Sequence, residues 1–267
     1  MTEYTDHHAP DGLRVRGTIV VVPGRGETRT TYERLGRRLA ADAYRVRVID
    51  SPYIVPADPI GSLTRFGAAL ADAVEGAATH DGATAHDGAV TVDRVVRPVV
   101  LIGADSGAAA VAALLNRAEI PAPWQPDAVV LAGLPGRAAT AAGTWDEELD
   151  VRTSCPAHRG TLAQDPAVRR GALHDAVPEA LLTAAQADDI TVPVLLLVGD
   201  ADPLADRQTL TQSAKSLPRA RLSVVRGAHH DVLNDLQHRT VAAEVVTFLE
   251  TLRNDLAPLI AVESSAW

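Results

Sequence analysis

The sequence predicts an α/β fold: a doubly wound, mostly parallel sheet with a small helical cap. Three observations lead there. Short aliphatic runs such as Thr18–Val22 and Pro98–Ile102 lack polar alternation, as strands covered on both faces do. Stretches of helical periodicity separate these runs, the order that builds a parallel sheet. From Leu134 to about Asp189 strands vanish and polar, helical stretches take over, an excursion suited to a cap over the sheet's carboxyl edge. With 267 residues, 46% of them hydrophobic, a single domain spanning 1–267 can bury its own core, the cap being an insertion at about 134–190.

In chain order, Leu13–Val22 reads as a strand whose buried end is Thr18–Val22. It stops at Pro23-Gly24-Arg25-Gly26-Glu27, a turn whose glycines let backbone amides point into open space. Thr30 with Glu33 is a candidate capping box for a helix over Tyr32–Ala41. Tyr44–Asp50 is a strand in which Arg45 and Arg47 alternate with Val46 and Val48. Leu63, Phe66, Leu70 and Val74 set helical spacing over Ser62–Glu75. Gly76–Asp93 repeats Thr-His-Asp-Gly-Ala as Ala-His-Asp-Gly-Ala, a polar surface insertion in which His80 and His86 carry little functional weight. The apolar run ending at Ile102 enters Gly103-Ala104-Asp105-Ser106-Gly107, and an alanine-rich helix continues through Leu114 and Leu115. Asp127–Gly133 and Thr191–Val198 are buried strands, the second ending in Gly199-Asp200-Ala201-Asp202-Pro203. A helix to about Ser216 and a strand at Arg221–Val225 lead into Gly227-Ala228-His229-His230-Asp231-Val232-Leu233-Asn234-Asp235. The closing helix, near Arg239–Leu252, carries Val241, Val245, Phe248, Leu249 and Leu252 on one face.

Composition excludes several classes of function. The net charge is −9 and the basic residues are scattered, so there is no electrostatic footprint for nucleic acid. Cys155 is the sole cysteine, and no Cys/His cluster has zinc-finger spacing. Gly24 and Gly26 are not followed by the lysine and hydroxyl of a phosphate loop. No metal, nucleotide or other cofactor is expected. No apolar run approaches membrane-spanning length, and Met1–His8 lacks the basic start and apolar core of a signal peptide. The expectation is a soluble cytoplasmic protein with a small-molecule substrate as its partner and no membrane span. Nothing in the sequence fixes its oligomeric state.

Gly103 and Gly107 each stand two residues from Asp105, the spacing of a nucleophile elbow, where backbones crowd around a residue on a strained strand-to-helix turn. Asp105, Asp202 and His230 each follow a predicted strand, so a doubly wound sheet can bring them to one rim. Together with the Pro23–Glu27 turn, these pieces resemble the α/β-hydrolase superfamily over roughly Gly17 to Phe248, in the family's order of nucleophile, acid and histidine. The first turn and the stretch Gly227–Asp235 are most similar to the lysophospholipase and monoglyceride-lipase-like branch, which has serine at the elbow. An aspartate there instead resembles haloalkane dehalogenases, fluoroacetate dehalogenases and epoxide hydrolases.

The resemblance implies Asp105 as nucleophile, Asp202 as acid and His230 as base, with main-chain oxyanion donors at Arg25 and Ser106. Gly24 and Trp145 are the candidate substrate-binding residues, Trp145 being the indole available in the cap. His229 and Asp200 compete with His230 and Asp202, and the spacing from the preceding glycines favours the latter pair. Ser106 offers a second register for the nucleophile. The cap segment has none of the tyrosines with which epoxide hydrolases polarise the oxirane. Its arginines Arg152, Arg159, Arg169 and Arg170 are available for a carboxylate, although such residues are usually solvated.

An aspartate with a reference pKa of about 3.9 is ionised at neutral pH without help from a base. Its attack on a tetrahedral carbon bearing a leaving group gives an ester that water activated by His230 can open. Attack on an ester carbonyl gives an anhydride, an uphill step. Two carboxylates flanking one imidazole also raise its pKa, which suits a static ion cluster as well as catalysis. The sequence therefore supports an Asp-His-Asp hydrolase for a small or medium, largely apolar substrate. The alternatives are a carboxylic-ester hydrolase or a non-catalytic ligand-binding protein with a degenerate elbow.

Overall fold

Strands β2 (Thr18–Val22) and β4 (Val99–Ala104) lie side by side at the middle of a seven-stranded sheet. The computed structural model describes residues 3–77, 95–117, 125–137, 143–186 and 189–265. The remaining strands are β1 (Tyr4–His7), β3 (Arg45–Ile49), β5 (Ala128–Ala132), β6 (Val194–Gly199) and β7 (Ala220–Val225), in the spatial order β1-β3-β2-β4-β5-β6-β7. All neighbours pair in parallel except β1, which runs antiparallel to β3. The chain moves outward from β2 to β3 and then crosses back to β4. Their carboxyl ends therefore flank the switch point, where open sheets of this kind bind ligands.

The unbroken apolar runs are explained by cores on both faces. In β2, Ile19 and Val21 face a core with helices α1 (Glu33–Ala41) and α8 (His238–Leu252). Val20 and Val22 face the opposite core with α2 (Pro59–Gly76) and α3 (Asp105–Leu115). Each fully buried Val, Leu or Ile contributes roughly 1.5–3 kcal/mol. Helix α3 is buried along nearly its whole length, which its run of alanines permits. Between β5 and β6 lie α4 (Trp145–Arg152), α5 (Pro156–Gln164), a 3-10 turn at Ala172–His174 and α6 (Glu179–Ala184), the last packing on α3. Helix α7 (Arg207–Ser216) joins β6 to β7. No helix among the described residues is long and apolar enough to cross a membrane.

Three details differ from the sequence reading. The polar leader contains β1, whose Asp6 accepts two hydrogen bonds of 2.7 Å from Arg47, while Tyr4 lies under the same guanidinium at 3.6 Å. Arg47 is consequently fully buried, and β1 pairs along the outer edge of β3. The strand expected from Leu13 begins only at Thr18, since Leu13 is exposed. The capping box sits at Thr28 and Thr31, opening a 3-10 turn (Arg29–Tyr32) ahead of α1, and not at Thr30 and Glu33. The repeated His-Asp-Gly words with His80 and His86 fall outside the described residues.

The elbow closes tightly on the strand beside it. A Cβ on Gly107 would stand 2.5 Å from the carbonyl oxygens of both Val22 and Pro23. Gly107→Ala is expected to destabilise the fold by about 1–3 kcal/mol, the usual cost of overpacking, read as a lower urea midpoint with unchanged slope.

Candidate active site

Asp105 opens α3 with φ +44°, a left-handed conformation uncommon for a residue with a Cβ. Such backbone strain persists only where the surroundings impose it. Here the strand, the sharp turn and the glycine beside it do so, and they hold the side chain at the carboxyl edge. Gly24, in the turn after β2, allows the approach: a Cβ there would lie 2.7 Å from Cβ of Asp105.

Asp202 sits in the turn after β6, where its Oδ1 accepts the Leu204 amide at 2.9 Å. Its Oδ2 lies 2.9 Å from Nδ1 of His230. On the other side of the ring, Nε2 of His230 stands 3.1 Å from Oδ1 of Asp105. The three predicted residues thus meet, and all three are buried. The Nε2 contact is ionic and off-axis, so this buried nitrogen has no formed hydrogen bond. The competing residues are used elsewhere: Asp200 accepts the Gly227 amide at 2.6 Å, and His229 pairs with Asp235 at 2.9 Å.

Arg25 does more than its place in the turn suggested. Its backbone N–H donates to Oδ2 of Asp105 at 2.8 Å, the geometry of an oxyanion donor. Its guanidinium also grips the carboxylate, with Nε to Oδ2 and Nη2 to Oδ1 both at 2.8 Å, while Nη1 donates to the Asp175 carbonyl at 2.6 Å. The available sequence signal was an arginine between two glycines, placed on the strand end beside an acidic elbow. The Ser106 amide lies in the first turn of α3, whose N–H groups lack partners within the helix.

These contacts set the protonation states. Burial acts most strongly against ionisation of Asp105, yet Arg25 and His230 together hold its carboxyl well below the usual range. Burial likewise disfavours charge on His230 but is outweighed by Asp202 and Asp105, which push its pKa up to about 10. At neutral pH the resting histidine is therefore an imidazolium.

A second buried network lies under the turn. Oε2 of Glu27 accepts the Gly24 amide at 2.7 Å and the Tyr32 hydroxyl at 2.5 Å. Arg152 donates to the Arg25 carbonyl at 2.8 Å and to Oε1 of Glu148 at 2.9 and 3.0 Å. Asp231 lies beside Arg152 and takes His158 at 2.8 Å. Arg152, expected among solvated cap arginines, is only 1% exposed because these carboxylates and the Arg25 carbonyl draw it inward. Ligand atoms of Glu27, His158 and Asp231 lie within 4.8 Å of one another, and the guanidinium of Arg152 already supplies positive charge beside them. Burial and the charge of Asp231 raise Glu27 to about 7.

A cavity of about 610 Å³ lies beside the site, bounded by Arg25, Ser106, Tyr53, Ile54, Val177 and Leu181; Asp105, Asp202 and His230 are not among its lining residues. Trp145 is not among its lining residues: it packs on Leu149, Leu162 and Val168, with Arg170 over its ring at 5.3 Å. A larger hollow, about 860 Å³, lies at the opposite end of the strands near Arg16, Arg45 and Arg97, away from the elbow.

The sheet order, the elbow and the histidine between two strand-end carboxylates define an α/β-hydrolase. Residues 77–237 match the Hydrolase_4 family, described as Serine aminopeptidase, S33. The chain belongs to this family of hydrolases. Its fold is similar to a soluble variant of monoglyceride lipase from Saccharomyces cerevisiae, with TM-score 0.66 and 15% identity over 93% of this chain and 91% of that one. It is equally similar to monoacylglycerol lipase of Paleococcus ferrophilus, with TM-score 0.66 and 17% identity over 94% and 99%. A lipase-esterase related protein from Clostridium acetobutylicum gives TM-score 0.63 and 16% identity over 93% and 99%. No curated protein matches the chain.

Two outcomes follow from the charges. In a nuclear magnetic resonance titration, the His230 ring should titrate near 10, and Asp105→Asn should lower that midpoint by about 1–3 units by removing one of its two anionic neighbours. The raised pKa means that this imidazolium stabilises the fold fully below about 6.5 and progressively less as pH rises towards 10. Glu27 has the opposite charge type but the same sign of slope. Its neutral form is favoured in the fold, so stability is complete below 4.5 and falls as pH rises towards about 7, by on the order of 3 kcal/mol. Denaturant midpoints measured across that window should fall more steeply for the natural protein than for Glu27→Gln.

Proposed function

We propose that Asp105 is the nucleophile of a hydrolase acting at a tetrahedral carbon that bears a leaving group, with His230 as base and Asp202 orienting it. The observation that carries this reading is Nε2 of His230: buried, 3.1 Å from Oδ1 of Asp105 and without a formed hydrogen bond, as a proton-transfer atom should be. A carboxylate kept ionised by its neighbours needs no base for the first step. Its oxygen forms a bond to carbon, and the leaving group departs with the bonding electrons. The new ester is neutral, so the imidazolium loses one of the two carboxylates that held its proton and passes that proton to the departing anion. Neutral His230 then takes a proton from water, and the hydroxide adds to Cγ of Asp105. The negative oxygen is held by the Arg25 and Ser106 amides. Collapse expels the product alkoxide, which takes the proton from His230, and the Asp105 carboxyl, left protonated by the added water, passes its proton to His230 to restore the carboxylate and the imidazolium. The net change is water plus substrate to alcohol plus the protonated leaving group.

The cavity suits a small or medium substrate with an apolar body against Ile54, Val177 and Leu181. In this reading 1–267 forms one domain, the helices of 134–190 act as its cap, and the lone buried thiol of Cys155 fits a cytoplasmic setting. Carboxylic-ester hydrolysis, the activity that the names of the similar lipases suggest, would require Ser106 to attack instead, and Ser106 does border the cavity. One observation favours a non-catalytic ligand-binding protein: Arg25 already spends three hydrogen bonds on Asp105.

Single-turnover reactions with short haloacids, epoxides and esters in heavy-oxygen water, followed by peptide mass analysis, separate these readings. Label in Asp105, together with an alkylated enzyme accumulating in His230→Gln, is expected. Turnover abolished by Ser106→Ala while Asp105 stays unlabelled would replace it with the serine register, and binding without turnover would leave a binding protein.

A further inference from the structure

We infer that the ligand of this site carries a carboxylate and that the Arg25 guanidinium recognises it, letting go of Asp105 in doing so. The inference rests on Asp105 being the reacting group. An ionised carboxylate offers about four lone-pair positions. The Arg25 amide and Nε take two on Oδ2, its Nη2 takes one on Oδ1, and the His230 imidazolium stands against the other at 3.1 Å. As clamped, Asp105 does not line the cavity, whereas Arg25 does. Attack requires the guanidinium to swing aside while the backbone amide stays.

The relative strengths of the bonds decide what can move it. Hydrogen bonds between neutral groups are weaker than those to charged partners, and a bidentate fork joins two of the stronger kind. A neutral ligand gives Arg25 no anion in exchange for Asp105, whereas a second carboxylate does, and it presents the same two-oxygen edge.

The surroundings provide for such an anion. The third contact of the Arg25 guanidinium is the carbonyl of Asp175, so it spans the gap between the elbow and the cap segment that carries Arg169. Arg169 borders the same cavity, and its pairing with Asp175 is solvent-exposed at 60% and 63%, a kind of ion pair that costs little to rearrange. Two acids also border the cavity: Glu27, whose carboxyl is turned onto Gly24 and Tyr32, and Asp175 itself. The remaining wall is apolar, formed by Ile54, Val177 and Leu181. The ligand class is therefore a short amphiphile, with a carboxylate head between Arg25 and Arg169 and a hydrocarbon body along that wall.

Calorimetric titration with hexanoate and its neutral isostere hexanamide tests this without any turnover. Hexanoate should bind and hexanamide should not. Asp105→Asn should bind hexanoate about tenfold tighter or more, because the guanidinium no longer has a competing anion. Arg25→Gln should lose binding, Arg25→Lys should retain part of it without the fork, and Arg169→Gln should weaken it severalfold, each variant first checked for a native circular dichroism spectrum and melting transition. Equal binding of the amide, unchanged affinity in Asp105→Asn, or no hexanoate binding by either the natural protein or Asp105→Asn would overturn the inference. Hexanoate binding with no label ever entering Asp105 would retain the carboxylate site and remove the nucleophile; label from neutral substrates alone would do the reverse.

Discussion

The ion pair between Arg25 and Asp105 is the constraint on which the arrangement of the site depends. A buried carboxylate is costly unless cations and hydrogen bonds compensate it, and losing one partner of such a pair typically costs 3–5 kcal/mol. Here the compensation comes from one residue twice over, through its amide and its guanidinium, with an imidazolium on the other side. Two carboxylates and two cations thus alternate through the site: Arg25, Asp105, His230, Asp202. Such an array of alternating charges holds its own geometry, and it also covers the Asp105 carboxylate.

What keeps the array in register is the layer beneath it. Glu27 holds the Gly24 amide, and Arg152 holds the Arg25 carbonyl, so the peptide groups on both sides of the donor amide are fixed. Arg152 comes from the first helix between β5 and β6, and Asp231 is the residue after His230. The segment above the sheet, the turn after β2 and the histidine loop are therefore one electrostatic unit. A charge change in any of them reaches the other two through buried contacts, where screening by solvent is weak.

Membership of a hydrolase family and an aspartate at the elbow bear on different questions. The family match and the shared fold concern the scaffold and the class of reaction. The elbow residue governs which electrophile can be attacked, because a serine needs its proton removed and an ionised aspartate does not. Under the proposed reading the raised pKa of His230 belongs with the second situation: an imidazolium cannot activate a serine, but it can wait beside a carboxylate until that carboxylate loses its charge.

Much of this was legible in the chain itself. Apolar runs such as Thr18–Val22 marked strands buried on both faces, because the hydrophobic effect acts residue by residue and leaves a local pattern. Glycines two residues either side of Asp105 marked the elbow, because steric crowding there admits no Cβ at Gly107. The order of Asp105, Asp202 and His230 along the chain sufficed to place each after a strand. The tertiary structure alone decided the partners of charged side chains. The buried Arg47 held by Asp6, the edge strand formed by a polar leader, Arg152 drawn inside, and the grip of Arg25 on a carboxylate 80 positions away leave no periodicity to read. Coulomb attraction between flexible side chains depends on distance in space, and that distance exists only once the sheet has brought its strand ends together.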